Sequence, residues 1–167
     1  ILMREIIPGL RNAHPALSVE LIASPWRADL ARGDADIAVR MMRPDEPDLV
    51  ARSAFDCAWF AYAATSYLQL RGQPANFGDL ARHDLLLYAE SLHRAPPTCW
   101  MEAYTVPTSM ASRFDSLESV REAALAGAGI AVLPAFTADP MPELRRVFQE
   151  CVASNTGWVV YHECMRS

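Results

Sequence analysis

Arg40 is a candidate ligand-binding residue because of its position in the predicted fold. Arg40 ends the stretch Asp36–Arg40, whose apolar body predicts a short strand. An arginine at the carboxyl end of a strand reaches the edge of a sheet, where its planar guanidinium can form two hydrogen bonds with a carboxylate. A structural ion pair explains the same residue equally well, so Arg40 is a candidate for anion binding with that alternative open.

A second candidate site lies at the start of the stretch from Asp115 to Pro134. Asp115 followed by Glu118 is a capping-box pattern, which predicts that a helix begins there. Gly127 suits the left-handed end of that helix, and the apolar run 130–133 before Pro134 predicts a buried strand. Because backbone N–H groups at a helix N-terminus attract ligands, the start of this helix is a predicted binding position.

The glycines of this stretch do not form a nucleotide site. Gly127 and Gly129 resemble the start of a dinucleotide-binding fingerprint, but Val132 stands where the third glycine is required. The order is also reversed, because a phosphate-binding loop opens a helix after a strand, and these glycines close a helix before a strand. We interpret them as a packing turn.

Other patterns that would indicate an enzyme are missing from the sequence. It has no G-x-S-x-G elbow, Walker loop or calcium loop, and its four histidines are isolated from one another. Asp34 and Asp36 fit turn chemistry better than acid–base catalysis. The four cysteines form no C-x-x-C pair, which disfavours a metal site and a disulfide framework and leaves a redox-sensing pair as the minor alternative. We predict no catalytic residue, no metal, no cofactor and no enzymatic activity.

Composition limits the partners and the location of the chain. Its 167 residues are enough for one domain or two small lobes, and its net charge of −5 argues against binding a polyanion unaided. No apolar run approaches the roughly 20 residues that span a bilayer. Arg4 and Glu5 interrupt the apolar N-terminus, so it does not read as a signal peptide. Scattered thiols without a signal favour the cytoplasm.

Predicted strands alternate with helical pieces along the chain, which indicates an α/β fold with mostly parallel sheets. The predicted strands are 17–22, 36–40, 49–55, 59–63, 85–88, 108–114, 130–133, 144–148 and 158–162. The predicted helices are 1–13 with an interruption at Pro8 and Gly9, a piece from Ser24–Pro25 to Gly33, 65–70, 77–81 and 115–126. In such folds ligands bind at the carboxyl ends of strands and the amino ends of helices. These rims carry Ser24, Arg40, Met41, Asp115 and Ser116.

Three separated patterns resemble the effector-binding domain of LysR-type transcriptional regulators. The first is Pro15-x-Leu17-x-Val19-x-Leu21 followed by Leu30-x-x-Gly33-x-x-Asp36-Ile37-Ala38-Val39-Arg40. The second is Ser66-Tyr67-Leu68, then Gly72-x-Pro74, Asp79-Leu80 and His83. The third is Ala124-x-x-Gly127-x-Gly129-Ile130-Ala131-x-Leu133-Pro134. Their order and spacing cover almost the whole chain.

The resemblance implies a two-lobed fold like that of type 2 periplasmic binding proteins, with central sheets flanked by helices. Lobe I would hold residues 1–56, lobe II residues 57–163, and residues 164–167 would start the return to lobe I. A small-molecule effector would bind between the lobes at Ser24, Arg40, Met41, Asp115 and Ser116, and Arg40 favours an anionic one. Relative to the family pattern, the chain looks truncated at both ends.

The resemblance also implies the partners. The DNA-binding module would lie outside these residues, so DNA would be reached through the parent protein alone. A homodimer or higher homo-oligomer is expected, and no membrane contact. The alternative with the same fold is the solute-binding protein of a transporter.

Overall fold

The computed structural model describes residues 6–22, 27–89, 100–104 and 111–165. Its strands are β1 (Ile37–Arg40), β2 (Leu49–Ala64), β3 (Leu85–Tyr88), β4 (Ala111–Phe114), β5 (Ile130–Pro134), β6 (Leu144–Arg146) and β7 (Ala153–His162). Its helices are α1 (Ile7–Ala13), α2 (Thr65–Arg71), α3 (Leu117–Leu125) and α4 (Ala135–Ala138), with 3₁₀ turns at Phe77–Arg82 and Glu163–Met165.

The strands form one mixed sheet in the order β1-β7-β2-β5-β3-β4, with β6 added to β2. The prediction of mostly parallel sheets is wrong. β3 pairs in parallel with β4 and β5, but β7 runs antiparallel to β1 and β2, and β2 runs antiparallel to β5 and β6. Apolar patterns mark strands but carry no direction, and the two longest strands meet here from distant parts of the chain. The α/β class itself is confirmed.

β2 connects two groups of strands, because its two ends pair with different neighbours. Residues 49–53 pair with the end of β7, which in turn pairs with β1. Residues 59–64 pair with β5 and β6. The two predicted strands at 49–55 and 59–63 are therefore one strand of 16 residues. A bulge between Ser53 and Phe55 separates its two ends.

The hydrophobic core lies on the side of β3 and β5. Every residue of these two strands is buried. The second half of β2 is buried beside them, and Val120 and Ala124 of α3 pack on the same core with no exposed surface. Continuous apolar strands of this kind are typical of a sheet covered on both faces.

The first third of the described chain departs most from the predictions. Residues 17–22 are predicted to form a strand, but within the described residues they pair with no other strand. Leu17 and Leu21 are 48% and 44% exposed. Residues 27–33 form a turn rather than a helix, with Asp29 accepting from the N–H of Arg32 and Gly33 at φ +79°. Alternation predicts a strand only where a neighbouring strand and a buried face exist.

Two helix starts also differ from the predictions. Of the predicted helix 1–13, residues 1–5 lie outside the described residues; α1 runs unbroken from Ile7 to Ala13 with Pro8 in its first turn, where a missing N–H costs nothing. α2 begins at Thr65 as predicted, but the capping residue is Ala64 and no side chain caps the helix. The short helix α4 was not predicted.

The turn before β5 requires glycine at one position. A Cβ on Gly129 would overlap the backbone carbonyl of Asp84, and that carbonyl accepts the hydrogen bond from Ile130 N–H that starts the β3–β5 pairing. The interpretation of Gly127–Gly129 as a packing turn agrees with this contact. Gly127 ends α3 at φ +76°, in the left-handed region predicted for it.

A polar cluster beside this turn contains a buried histidine. The Tyr67 hydroxyl donates to Asp84 Oδ2 and lies 3.2 Å from His83 Nδ1. Because the single hydroxyl hydrogen goes to the carboxylate, we assign the hydrogen between the two rings to His83 Nδ1. Burial lowers the pKa of His83 below its ordinary value of 6.5, and the charge of Arg71 lowers it further. The neutral imidazole is therefore favoured by folding.

We predict that Gly129→Ala destabilises the fold by about 1–3 kcal/mol, because the new methyl group forces the Asp84 backbone aside. Gly9→Ala is the control, since no heavy atom lies within 4 Å of its added Cβ and alanine favours the helix α1. Urea unfolding of both variants measures the difference. Equal midpoints for the two variants would contradict the close approach at Gly129.

His83 predicts a pH dependence of stability. Its folded pKa lies below the unfolded value, so the unfolded chain takes up a proton first as the pH falls. Stability should therefore decline as the pH drops through 6.5 and stop declining below the folded pKa. In unfolding curves between pH 7.5 and 5, we expect His83→Gln to flatten this decline. His14→Gln, at an exposed histidine, should leave it unchanged.

Candidate functional site

The structure places the predicted site residues in two pairs at strand ends. Arg40 is the last residue of β1 and Met41 follows it. Asp115 and Ser116 lie between β4 and α3. β1 and β4 are the two end strands of the sheet order, so β7, β2, β5 and β3 stand between the pairs. Ser24 lies outside the described residues.

Arg40 is largely buried and its guanidinium is bound within the protein. Its side chain is 10% exposed, and its Nη1 donates to Glu46 Oε1 at 3.1 Å while its Nη2 donates to the carbonyl of Ala28 at 3.2 Å. Arg27 donates to the same Glu46 oxygen at 3.1 Å. Of the two readings of Arg40, the structural ion pair is the contact seen here. It fastens the segment after β1 and the turn near Ala28 to the strand.

One carboxylate oxygen of Glu46 accepts hydrogen bonds from two arginines. Its Oε1 accepts from both guanidinium groups, while its Oε2 is buried without a hydrogen-bond partner among the described residues. A hydrogen bond from its own backbone N–H lowers the pKa of Glu46, and Arg40 and Arg27 lower it further. The carboxylate is therefore charged at neutral pH and holds both cations near the end of β1.

Met41 is joined to the long strands by an asparagine that the sequence analysis did not single out. The side-chain amide of Asn155 donates from Nδ2 to the carbonyl of Met41 at 2.8 Å. Its Oδ1 accepts from the indole Nε1 of Trp59 at 2.6 Å. Asn155 lies on β7 opposite Cys57 of β2. A polar asparagine within a strand could have indicated a specific role for its side chain. The strand predicted from the sequence began only at residue 158, three residues after Asn155.

Ser116, not Asp115, caps α3. The Ser116 hydroxyl oxygen accepts from the backbone N–H of Ser119 at 3.1 Å, and the hydroxyl donates to the Ser119 side chain at 2.7 Å. The predicted capping box of Asp115 with Glu118 is therefore wrong by one residue. β4 runs on to Phe114, so Asp115 forms the bend and the helix begins at Leu117. Asp115 stays exposed beside the helix start.

Apart from the bond between Met41 and Asn155, the partners described for the two pairs are local. Arg40 is held by residues of the segment 28–46, and Ser116 by the first turn of α3. The structure therefore brings together Arg40 with Met41, and Asp115 with Ser116. Both pairs combine a strand end or a helix start with hydrogen-bonding groups, and neither contains a nucleophile paired with a base.

Two open clefts of about 380 Å³ each lie away from these residues. The first is lined by Tyr62, Asp139, Leu144, Arg145, Arg146 and Gln149. In it Arg146 forks onto Asp139 and stacks 3.7 Å from the ring centre of Phe60. The guanidinium lowers the pKa of Asp139. These contacts satisfy one another, so we assign this cleft to packing.

The described residues also answer two questions about partners. No group of three or more His, Cys, Asp or Glu side chains among them is arranged to hold a metal ion. None of their helices has the length and apolar character needed to cross a bilayer.

Comparison with known proteins identifies the family. The LysR substrate binding domain matches residues 1–166. The chain is 28% identical over 142 residues to the HTH-type transcriptional regulator CrgA of Neisseria meningitidis serogroup C (strain 8013), covering 83% of this chain and 46% of that protein. It therefore spans about half the length of the curated relatives it matches.

Solved structures show the same fold. The regulatory domain of CrgA, a LysR-type transcriptional regulator from Neisseria meningitidis, aligns with a TM-score of 0.81 at 24% identity, covering 99% of this chain and 85% of that one. The effector domain of the transcriptional regulator AmpR of Pseudomonas aeruginosa aligns with a TM-score of 0.72 at 24% identity, covering 94% and 77%. The predicted fold, like that of periplasmic binding proteins, is confirmed by these matches.

The burial of Arg40 generates a stability prediction. We expect Arg40→Gln to lower the urea midpoint more than Arg32→Gln does, because Arg40 is 10% exposed and Arg32 is 85% exposed in its pair with Asp29. Exposed pairs contribute little, whereas Arg40→Gln removes a largely buried guanidinium that donates to both Glu46 and the carbonyl of Ala28. Equal midpoints would show that the Arg40 contacts contribute nothing to stability.

Proposed function

Since the chain belongs to the LysR substrate binding domain family, we propose that it is the effector-sensing part of a DNA-binding transcriptional regulator. The observation that carries the proposal is the family match over residues 1–166. This match favours a regulator over the solute-binding protein of a transporter. In this proposal the DNA-binding module belongs to the parent protein outside these residues, as in the HTH-type relatives that are about twice as long.

The effector binds between two lobes in this proposal. Lobe I comprises residues 1–56 and lobe II residues 57–163, with residues 164–167 beginning the return to lobe I. The strand pairing supports such a division. One end of β2 pairs with the part of β7 that also pairs with β1, and the other end pairs with β5 and β6. Ser24, Arg40 and Met41 would contact the effector from lobe I, and Asp115 and Ser116 from lobe II.

An effector that contacts both lobes can act as a switch. It shifts the equilibrium between lobe arrangements by the difference in its affinity for them. In a homodimer or larger homo-oligomer, that shift would reposition the DNA-binding modules and couple effector binding to DNA binding. The protein acts in the cytoplasm in this proposal and catalyses no reaction.

The chemistry of the effector follows from the two residue pairs. Arg40 favours an anionic effector, although Glu46 already occupies its guanidinium, so an anion would have to replace that carboxylate. Asp115 is exposed and suits a hydrogen-bond donor on the effector. In this proposal the effector carries an acidic group for Arg40 and a separate amine or hydroxyl group for Asp115.

The first test reads the coding sequence upstream of Ile1. A winged helix-turn-helix followed by a long helix is expected within the roughly one hundred codons that precede Ile1. An export signal there would overturn the regulator and support the solute-binding protein.

The second test is a ligand screen of small carboxylates that carry an amine or hydroxyl group, read by thermal unfolding. A specific ligand at 100 times its Kd stabilises the fold by about 2.7 kcal/mol. For a ligand found in this way, we expect Asp115→Asn to weaken binding about tenfold, equivalent to about 1.4 kcal/mol. The control is Glu150→Gln, at an exposed carboxylate outside both pairs. Unchanged affinity in Asp115→Asn would remove Asp115 from the site.

A further inference from the structure

We propose that Asn155 is a positioning residue that couples the segment Met41–Asp48, here called the β1–β2 loop, to the paired strands β2 and β7. The inference deepens the proposed function and rests on it, because Met41 is one of the proposed effector contacts. Asn155 itself need not touch the effector. It acts through the carbonyl of Met41 and the indole of Trp59.

Both functional groups of the Asn155 amide are used, each toward a different part of the fold. Nδ2 donates to the carbonyl of Met41 at 2.8 Å, and Oδ1 accepts from the Trp59 indole at 2.6 Å. Met41 follows β1, whereas Trp59 pairs with Pro134 of β5. A single side chain thus connects the group of strands around β1 with the group around β5.

The Trp59 end of this connection is held firmly. The Trp59 side chain lies in the core and is 6% exposed, and a buried indole N–H needs an acceptor. Asn155 supplies that acceptor from β7, two residues from the point where Trp59 pairs with Ala153. A displacement of Asn155 therefore changes the hydrogen bond of a core residue.

The β1–β2 loop is held at several points, so a disturbance of one part reaches the rest. Glu46 binds Arg40 at the end of β1, and its carbonyl accepts from Leu49 N–H. The Arg43 guanidinium lies 5.5 Å from the ring centre of Trp158. An effector that contacts Met41 or displaces Glu46 would move this loop against Asn155.

The pairing of β2 with β7 is irregular beside Asn155. The bulge of β2 lies between Ser53 and Phe55, and Gly157 opposes Phe55. A Cβ at Gly157 would overlap the Phe55 ring, so the strand carries no side chain at that point. Bulges bend and twist a strand pair locally. Asn155 lies on the β5 side of this irregularity, while the loop it binds lies on the β1 side.

The experiment perturbs the loop and observes Trp59. Glu46→Gln removes the charge that holds Arg40 and stands in for an effector that replaces the carboxylate. The readout is the ¹H–¹⁵N resonance of the Trp59 indole in the 167-residue chain, assigned with Trp59→Phe. We expect Glu46→Gln to shift this resonance in the wild-type background and to leave it in place when Asn155 is replaced by leucine.

Two further variants separate coupling from packing. Asn155→Asp keeps an acceptor for Trp59 but has no donor for the carbonyl of Met41. The chemical shift of the Trp59 indole should therefore remain that of a hydrogen-bonded N–H, and it should no longer change when Glu46→Gln is added. This variant also serves if the leucine variant fails to fold. Thr156→Val is the control, because the neighbouring Thr156 donates to Asp56 and not to the loop; it should retain the full response.

Two outcomes would overturn the inference. One is an equal response of Trp59 to Glu46→Gln with and without the Asn155 amide, which would place the coupling elsewhere. The other is no response in the wild-type background. Both differ from failure of the proposed function, which is decided by the upstream coding sequence and the ligand screen. A regulator that binds an effector without this coupling would fail the Trp59 test alone.

Discussion

The antiparallel pairing of β2 with β7 is the constraint on which the rest of the structure depends. These strands come from opposite halves of the chain, and their pairing closes a loop of about a hundred residues that contains β3 to β6. Closing a loop of that length costs conformational entropy. The buried core, formed largely by β2 and by the elements that lie between β2 and β7 in sequence, must offset this cost. The close contact of Phe55 with Gly157 fixes the register at the bulge, because a one-residue slip would place Phe55 against Thr156 or Trp158.

This constraint also divides the structure into regions of different rigidity. Around β3 and β5 the strands are buried on both faces and α3 packs against them, so the start of α3 is held by a rigid support. Around β1 the fold depends more on polar contacts. β1 is an end strand with alternate residues exposed, and a largely buried arginine fastens the segments beside it. Asp115 is thus presented by the core, whereas Met41 is presented by a loop whose position depends on hydrogen bonds and an ion pair.

The rigid part was the part that the sequence predicted well. The strands at 85–88 and 130–133, the helix between Asp115 and Gly127 and the glycine turn were all predicted within one or two residues, because local apolar runs and glycines determine them. Residues 17–22 carry an equally good strand pattern but pair with no strand in the part of the chain that the structure describes, and the pattern cannot show whether a neighbour exists. The positions of Arg40 and Met41 at a strand end were predictable. Their partners were not. Glu46 lies in a loop without a helical or strand period, and Asn155 is distant from Met41 in the chain, so neither contact leaves a local pattern.

The energies involved limit what the Asn155 connection can do. Moving a two-state equilibrium from 1:99 to 99:1 takes about 5.5 kcal/mol of differential binding, whereas one hydrogen bond contributes about 1 kcal/mol net. The amide therefore cannot supply the energy of a switch; in the proposed function the effector supplies it through contacts with both groups of strands. What the amide can supply is geometry, because a hydrogen bond to a core indole tolerates little displacement before it breaks. A change in the position of a loop held in this way therefore alters a hydrogen bond of the core at small energetic cost, as the proposed effector-sensing function requires.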